Sequence, residues 1–110
     1  MIFTDLLDYL GQALTVNVYA ESPEEFTNYV LIEQTGSSRS NHIITTTFAI
    51  QSYAPSLYEA MLLNDDVKAA MEDFAKLSNV TRVELETDYN FTNTETKQYR
   101  WQAVYDITHY

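Results

Sequence analysis

The amino-acid sequence predicts an α+β fold: a mostly antiparallel sheet of about five strands, with one long helix and a short N-terminal helix packed on one face. Three observations predict it. Residues Lys97 to Tyr110 alternate apolar or aromatic with polar side chains, the period of a half-buried strand. Apolar residues after Pro55 follow the helical period instead. With only two glycines and two prolines, the sequence lacks linkers, so residues 1–110 are expected to form one domain.

The first elements are predicted to be a helix and two strands. Thr4 or Asp5 can cap the short helix, whose apolar stripe comes from its leucines. Val16 and Val18 alternate with polar residues and predict a short strand, and residues 28–35 form an apolar, β-rich one. The leucines of the helix stripe are Leu6, Leu7, Leu10 and Leu14.

A hairpin is predicted next. Residues 36–41 are the clearest polar loop of the first half of the chain. The strand after the loop, residues 42–53, contains three consecutive threonines, whose branched side chains favour a strand over a helix. One face of this strand carries Ile44, Phe48 and Ile50, and the other carries Thr45, Thr47 and Gln51.

The long helix is expected to begin at Pro55, where Ser56 and Glu59 fit a capping box. Residues 64–66 interrupt its apolar pattern and indicate either a kink or a second capped helix, and residues 78–79 mark its end. The apolar face comprises Ala60, Leu63, Val67, Ala70, Met71, Phe74 and Leu77.

The last two strands are predicted to form a second hairpin. Residues 80–89 alternate, and a polar turn over residues 90–95 leads into the final strand. One face of the first of these strands carries Val83, Leu85 and Tyr89, and the other carries Arg82, Glu84, Glu86 and Asp88. The acidic surface Glu84, Glu86 and Asp88 is either a solvent-facing surface with ion pairs across the strands or a surface facing DNA or a basic partner subunit.

The residue types needed for common catalytic sites are sparse. The sequence has no cysteine, and His42 and His109 are not at metal-ligand spacing. The acidic pairs Asp65-Asp66 and Glu72-Asp73 lack a loop that would bind a hard cation. No serine lies in a nucleophile motif. We therefore expect neither enzymatic activity nor a cofactor.

The net charge of −10 opposes adhesive contact with nucleic acid or with an anionic membrane. The sequence contains neither an apolar run long enough to span a membrane nor a signal peptide.

Nine tyrosines and one tryptophan exceed what so small a core can hold. Four of these rings are candidates either for the core or for contacts with other subunits: Tyr19, Tyr29, Tyr53 and Tyr58.

Three stretches resemble the small tail-completion or tail-terminator proteins of long-tailed bacteriophages, which are also described as head–tail joining or minor capsid proteins. The first is residues 18–36, where VYAESP leads into YVLIEQTG. The second is residues 48–60, where FAIQSYA runs into the long helix with YEA. The third is the terminal RWQAVYDIT of residues 100–108.

The resemblance implies a structural virion protein of a phage or prophage. Such proteins form rings, usually hexameric, that cap the tail tube and join it to the head connector, while DNA passes through without specific binding. They would assemble in the bacterial cytoplasm and end at the head–tail junction. The contact elements implied are two loops. They comprise Ser37, Ser38, Arg39, Ser40 and Asn41, and then Asp88, Asn90, Thr92, Asn93 and Glu95.

Two other functions are compatible with the composition. The excess of acidic residues would also suit an inhibitor that mimics DNA and occupies a DNA-binding enzyme. A pocket between helix and sheet could hold a small molecule, although the sequence offers no set of residues for one.

Overall fold

In the computed structural model, residues 1–23, 28–77, 80–93, 95–96 and 98–110 are described. The elements follow the predicted order α-β-β-β-α-β-β and form an α+β fold with one five-stranded sheet. They are α1 (Ile2–Ala13), β1 (Asn17–Tyr19), β2 (Tyr29–Ser40), β3 (Ile43–Ala54), α2 (Leu57–Phe74), β4 (Val80–Asn90) and β5 (Tyr99–His109).

The sheet has the strand order β1-β2-β3-β5-β4, so that β3 and β5 lie at its centre. Every neighbouring pair is antiparallel except β1 and β2, which are parallel. The two helices pack on one side of the sheet, here called the inner face, and the opposite side is the outer face. The alternation predicted for the third strand is confirmed, because Phe48 and Ile50 enter the core while Thr45 and Thr47 lie on the outer face.

The core lies between the helices and the inner face of the sheet. Its side chains come from α1, α2 and the four longest strands, and burying them removes apolar area from water. Fully buried members are Leu6, Leu10, Val30, Ile32, Phe48, Ile50, Val67, Phe74, Ala103 and Ile107.

The first hairpin is longer than predicted. Residues 36–40, expected in a loop, continue β2 and pair with β3 as far as Ser40 opposite Ile43. The turn is only Asn41 and His42, whose φ angles of 51° and 68° are those of a tight hairpin turn with two left-handed residues. Serines fit these strand positions because the end of the hairpin is exposed and leaves their hydroxyls accessible to water.

The N-terminal helix begins earlier than predicted, with Met1 at its N-cap. Thr4 and Asp5 therefore lie in its first turn and do not cap it. The Thr4 hydroxyl instead donates a 2.9 Å hydrogen bond to the carbonyl of Met1. Asp5 still adds a negative charge near the positive end of the helix dipole.

The long helix α2 begins at Leu57, two residues after its predicted start at Pro55, with Ser56 as its N-cap. The Ser56 hydroxyl accepts a hydrogen bond of 3.2 Å from the Glu59 amide. The helix runs without a break through residues 64–66, so neither a kink nor a second helix forms there. It ends at Phe74, before the predicted end at residues 78–79, which lie outside the described part of the chain.

Two bulges in β4 alter the predicted alternation. The pairing of β4 with β5 shifts between Val80 and Arg82 and again between Leu85 and Thr87. The second shift leaves Glu86 as an extra residue, which reverses the faces of the residues that follow it. Asp88 therefore lies on the inner face, and Tyr89 lies on the outer face beside Gln102. The prediction that Asp88 shares a face with Glu84 is wrong.

Candidate functional site

A groove runs between α2 and the edge strand β4, with a volume of about 380 Å³. Its apolar wall combines side chains of the helix with inward-facing residues of β4, and Tyr105 of β5 contributes at its base. Leu85 is 40% exposed, so an apolar side chain of this groove remains in contact with water. The lining residues are Lys68, Met71, Glu72, Ala75, Val83, Leu85 and Tyr105.

A polar cluster lies beside the groove, centred on the Asp88 carboxylate. Trp101 Nε1 donates a 3.0 Å hydrogen bond to Asp88 Oδ1. Lys68 Nζ lies 3.5 Å from the same oxygen and Asn64 Nδ2 lies 3.4 Å from it. Lys68 Nζ also lies 3.6 Å from Asp65 Oδ1, so its ammonium group lies between two carboxylates. The cluster connects α2 to β4 and β5.

Asn64 is the most unusual member of this cluster. It is 1% exposed and lies on the apolar face of α2, and its Oδ1 atom has no hydrogen-bond partner among the described residues. Burying an amide oxygen in this way costs free energy unless something else compensates. The cluster therefore constrains where Asn64 lies while leaving one of its polar atoms unsatisfied.

Burial governs the chemistry of Tyr105. Removal of its phenol from water raises its pKa to about 12, and the negative charges of Asp88 and Glu72 act in the same direction. The neutral phenol is thus strongly favoured at physiological pH. In the groove Tyr105 can contribute a hydroxyl and an aromatic surface, and it is poorly suited to act as a base.

The outer face carries a chain of hydrogen bonds across three strands. The Tyr53 hydroxyl donates to Gln51, Gln51 donates to Gln102, and Gln102 donates to the hydroxyl of Tyr89. Arg100 donates to the Tyr53 hydroxyl at 2.8 Å. Because these polar atoms satisfy one another, the outer face holds a fixed arrangement of side chains although neither α1 nor α2 covers it.

Aromatic rings extend this surface. The rings of Tyr29 and Tyr53 stack with centroids 4.4 Å apart. The Arg100 guanidinium lies 4.3 Å from the centroid of the Phe91 ring, a cation–π arrangement. Both Tyr29 and Tyr53 are buried, so two rings proposed from composition as candidates for subunit contacts belong to the internal packing of the chain. Tyr58, at 69% exposed, remains available for contact.

The acidic surface retains two of its three predicted members. Glu84 pairs with Asp106 across the strands, and Arg82 forms an ion pair of 3.1 Å with Glu84. The pKa of Glu86 is raised, first by its hydrogen bond with the Asp106 carboxyl and then by the charge of that group. Asp106 also accepts a 2.6 Å hydrogen bond from the Thr47 hydroxyl. Glu84, Glu86 and Asp106 thus concentrate negative charge on the outer face.

The two predicted contact loops lie at opposite ends of the sheet. Ser37 to Asn41 belong to the tip of the first hairpin, near the end where Ile44 pairs with His109. Of the second set, Asp88 and Asn90 belong to β4, and the described residues 91–93 and 95 lie at the other end of the sheet, beyond the pairing of Asn90 with Trp101. There Asn90 Oδ1 accepts from the Thr92 amide, and Asn93 Oδ1 accepts from the Glu95 amide. The structure does not bring the two loops together.

Sequence reasoning missed Asn64, Lys68 and Trp101 as parts of one site. A usable signal was present, because Asn64 falls between Leu63 and Val67 on the apolar stripe of the helix. A polar residue on such a stripe indicates a buried polar partner. The position of that partner depends on the bulge in β4, which the alternation of the strand does not reveal.

Metal sites, membrane-spanning helices and a buried histidine are the other candidate functional features among the described residues. No group of three or more His, Cys, Asp or Glu side chains there is placed to hold a metal ion. No helix there combines the length and the apolar character required to cross a membrane. His109 is buried, and its Nε2 lies 2.9 Å from the Thr46 hydroxyl, which gives it a structural role at the end of the sheet.

No protein-family model matches the sequence, and no curated protein matches it at a significant level.

Proposed function

We propose that this chain is a structural protein of a phage or prophage virion, which caps the tail tube as an oligomeric ring and joins it to the head connector. Support comes first from the three stretches that resemble tail-completion proteins. The geometric observation that carries the proposal is a pair of exposed apolar patches on opposite sides of the molecule.

The first patch, here called the helix patch, lies at the beginning of α2. Tyr58, Met61 and Leu62 are 69%, 43% and 47% exposed, respectively. Their spacing of three and four residues places them on one side of the helix. Because Ala60 and Leu63 are buried against the rest of the chain, the helix patch faces away from the sheet.

The second patch, here called the sheet patch, lies on the outer face. Tyr89 and Phe91 are 38% and 40% exposed, and their rings meet edge to face with centroids 5.8 Å apart. The hydrogen bond from Gln102 to Tyr89 and the contact of Arg100 with Phe91 hold both rings in place. Ordered aromatic rings bury area at an interface with a small loss of side-chain entropy.

Two different patches on opposite sides of one subunit favour head-to-tail association. In such a heterologous contact, the helix patch of one copy packs on the sheet patch of the next, and each added copy presents a free patch again. If the rotations from each copy to the next add up to a full turn, the copies close into a ring. The resemblance implies a ring of about six subunits.

The charge of the chain suits a ring through which DNA passes. A net charge of −10 per subunit gives phosphates no adhesive surface. The acidic side chains lie both on α2, at Asp65 and Asp66, and on the outer face, at Glu84 and Glu86. Since a DNA mimic needs its carboxylates on one continuous surface, this distribution favours the ring over the inhibitor.

The proposal is tested by measuring assembly. Light scattering during size-exclusion chromatography, and electron microscopy with and without tail tubes, should show rings or ring-capped tubes. The substitution Leu62→Glu places a charge in the helix patch and should reduce assembly by at least about tenfold. Leu85→Glu is the matched control, because Leu85 is exposed to a similar extent but lies in the groove. A chain that stays monomeric and never joins tail tubes would contradict the proposal.

A further inference from the structure

We propose that the unpaired edge of β4 receives an extended strand of another protein, in which apolar and basic side chains alternate. This edge adjoins the sheet patch, because Tyr89 belongs to β4, but the side chains on which the inference rests, those of residues 83–86, lie outside both patches. It holds whether or not the chain assembles into a ring.

The first support is the edge itself. β4 runs over eleven residues, Val80–Asn90, and its one neighbour in the sheet is β5. The backbone amides and carbonyls on its other side therefore have no strand to pair with among the described residues. An exposed row of such groups is a template on which an extended peptide can add a strand.

The second support is the groove beneath this edge. A strand added to β4 would direct every second side chain toward the inner face, next to Val83 and Leu85. There the groove offers Met71 of α2 and Ala75, which follows the end of that helix, as further apolar contacts. Leu85 is 40% exposed in the isolated chain, so an incoming apolar side chain would remove this surface from water.

The third support is the charge on the outer face. The side chains between those entering the groove would point outward, beside Glu84 and Glu86. Asp106 lies next to Glu86 and adds a further carboxylate, while Arg82 pairs with Glu84. Lysine or arginine at the outward positions would complement this negative charge, whereas acidic residues would be repelled.

A second copy of this chain does not fit the same edge. The part of β2 that β1 leaves unpaired, residues 33–40, reads EQTGSSRS and has no large apolar side chain for the groove. The β4 strand of a second copy would bring Glu84 and Glu86 against like charges. The sequence also has no two basic residues two positions apart. No strand of a second copy could therefore place basic side chains at successive outward positions. The charge and shape of the β4 edge therefore select a strand from a different protein.

The bulges of β4 are consistent with this selectivity. Edge strands with bulges and charged residues resist indiscriminate pairing. Glu86, the extra residue of the second bulge, is also one of the acidic residues that would face a basic partner. The features that prevent self-aggregation thus leave the edge open to a strand of complementary charge.

The test uses a synthetic peptide of about nine residues, close to the length of β4, with valine or leucine alternating with lysine. A peptide of the same composition with its basic residues grouped at one end is the control. Calorimetry should give a dissociation constant on the order of 10 μM for the alternating peptide and at least about tenfold weaker binding for the control. Hydrogen exchange should show new protection at backbone amides of β4.

Two variants locate the site. Leu85→Glu should weaken binding of the alternating peptide by about tenfold or more, because it places a charge where an apolar side chain would enter. Glu86→Gln should weaken it by about threefold and reduce its dependence on salt. Leu62→Glu, which is designed to disrupt the ring, should leave peptide binding unchanged. Peptide binding and ring assembly are therefore tested by different variants, so that either proposal can fail while the other stands.

Three results would overturn the inference. The first is equal binding of the alternating and grouped peptides, which would indicate attraction of charge alone. The second is protection of β2 amides instead of β4 amides. The third is a dimer of the free chain that Leu85→Glu abolishes, which would make a second copy the occupant of the edge.

Discussion

The indole Nε1 of Trp101 donates a 3.0 Å hydrogen bond to Oδ1 of Asp88, across the inner face of two neighbouring strands. This contact exists because the bulge at Glu86 turns Asp88 away from the acidic outer face. Lys68 and Asn64 approach the same oxygen from α2. One carboxylate thus links the edge strand, the central strand β5 and the long helix.

Replacing Asp88 with alanine should lower the free energy of unfolding by about 1–3 kcal/mol, because the donors of Trp101, Lys68 and Asn64 would lose their acceptor in a partly buried site. Asp88→Asn keeps an oxygen acceptor and should cost less. Urea unfolding followed by circular dichroism measures both changes.

The control for this change is Asp65→Asn, since Asp65 also pairs with Lys68 but its side chain is 69% exposed. It should shift stability by less than about 0.5 kcal/mol. Equal effects of Asp65→Asn and Asp88→Ala would contradict the central role given to the Asp88 carboxylate.

The periodicity of the sequence was sufficient to predict the fold because each element has a strong pattern of its own. β5 alternates over its whole length, and α2 keeps one apolar face for five turns. The ends of helices and strands were predicted less well where the residue types are typical of a different kind of structure from the one they adopt. Residues 36–40 look like a loop by composition, yet strand pairing and the tight turn at Asn41 and His42 extend the hairpin through them.

The turn itself offers a test. His42 has a φ of 68°, a left-handed conformation that costs a side-chain-bearing residue about 1–2 kcal/mol. His42→Gly would create an Asn-Gly turn and should raise the free energy of unfolding by about 0.5–1 kcal/mol, after the entropic cost of glycine is subtracted. The midpoint of urea unfolding measures this gain.

The matched control is Ile43→Gly at the neighbouring position, where the backbone is part of β3. There glycine loses both side-chain packing and conformational entropy, and stability should fall by about 1 kcal/mol. If His42→Gly also destabilised the protein, the left-handed geometry of the turn would be wrong.

The candidate site was harder to predict than the fold because it depends on contacts between elements. Nothing in the spacing of Asn64, Asp88 and Trp101 shows that they meet. Their contact requires the order β3-β5-β4 in the sheet and a single extra residue at Glu86. Alternation alone placed Asp88 with Glu84, since a pattern of period two carries no information about where a bulge reverses it.

The pKa of Tyr105, raised to about 12 from its ordinary value of 10.0, predicts a loss of stability at alkaline pH. Between these values the unfolded chain releases the phenolic proton while the folded protein retains it. The free energy of unfolding should therefore fall as pH rises from 10.0 toward about 12, and this tyrosine should contribute no slope below that range.

Tyr105→Phe isolates this contribution, because phenylalanine cannot ionise and keeps the buried ring. The variant should lose less stability than the parent chain over the same pH range, as measured by urea unfolding at several pH values. Tyr58→Phe, at an exposed position, should behave like the parent chain. If the free energies of unfolding of Tyr105→Phe and the parent chain differed by the same amount at every pH, ionisation of Tyr105 would be contradicted as the cause.

On the outer face, the pKa of Glu86 is raised above its ordinary value of 4.5, first by a hydrogen bond with the Asp106 carboxyl and then by the charge of that group. Between pH 4.5 and the raised pKa, Glu86 of the folded protein therefore keeps a proton that the same residue releases in the unfolded chain. This group's contribution to stability is complete at pH below 4.5 and is lost as pH rises through the raised pKa of the folded state. Above that raised pKa, the negative charge of Asp106 repels the carboxylate of Glu86.

Glu86→Gln should consequently stabilise the protein at neutral pH, and the gain should shrink on acidification and at high salt, where the repulsion is removed or screened. Thermal unfolding at several pH values and salt concentrations measures this. Glu33→Gln, at an exposed position of β2, removes the same net charge without relieving a carboxyl pair. Since general self-repulsion would make the two variants equal, only a larger gain for Glu86→Gln supports a specific interaction with Asp106.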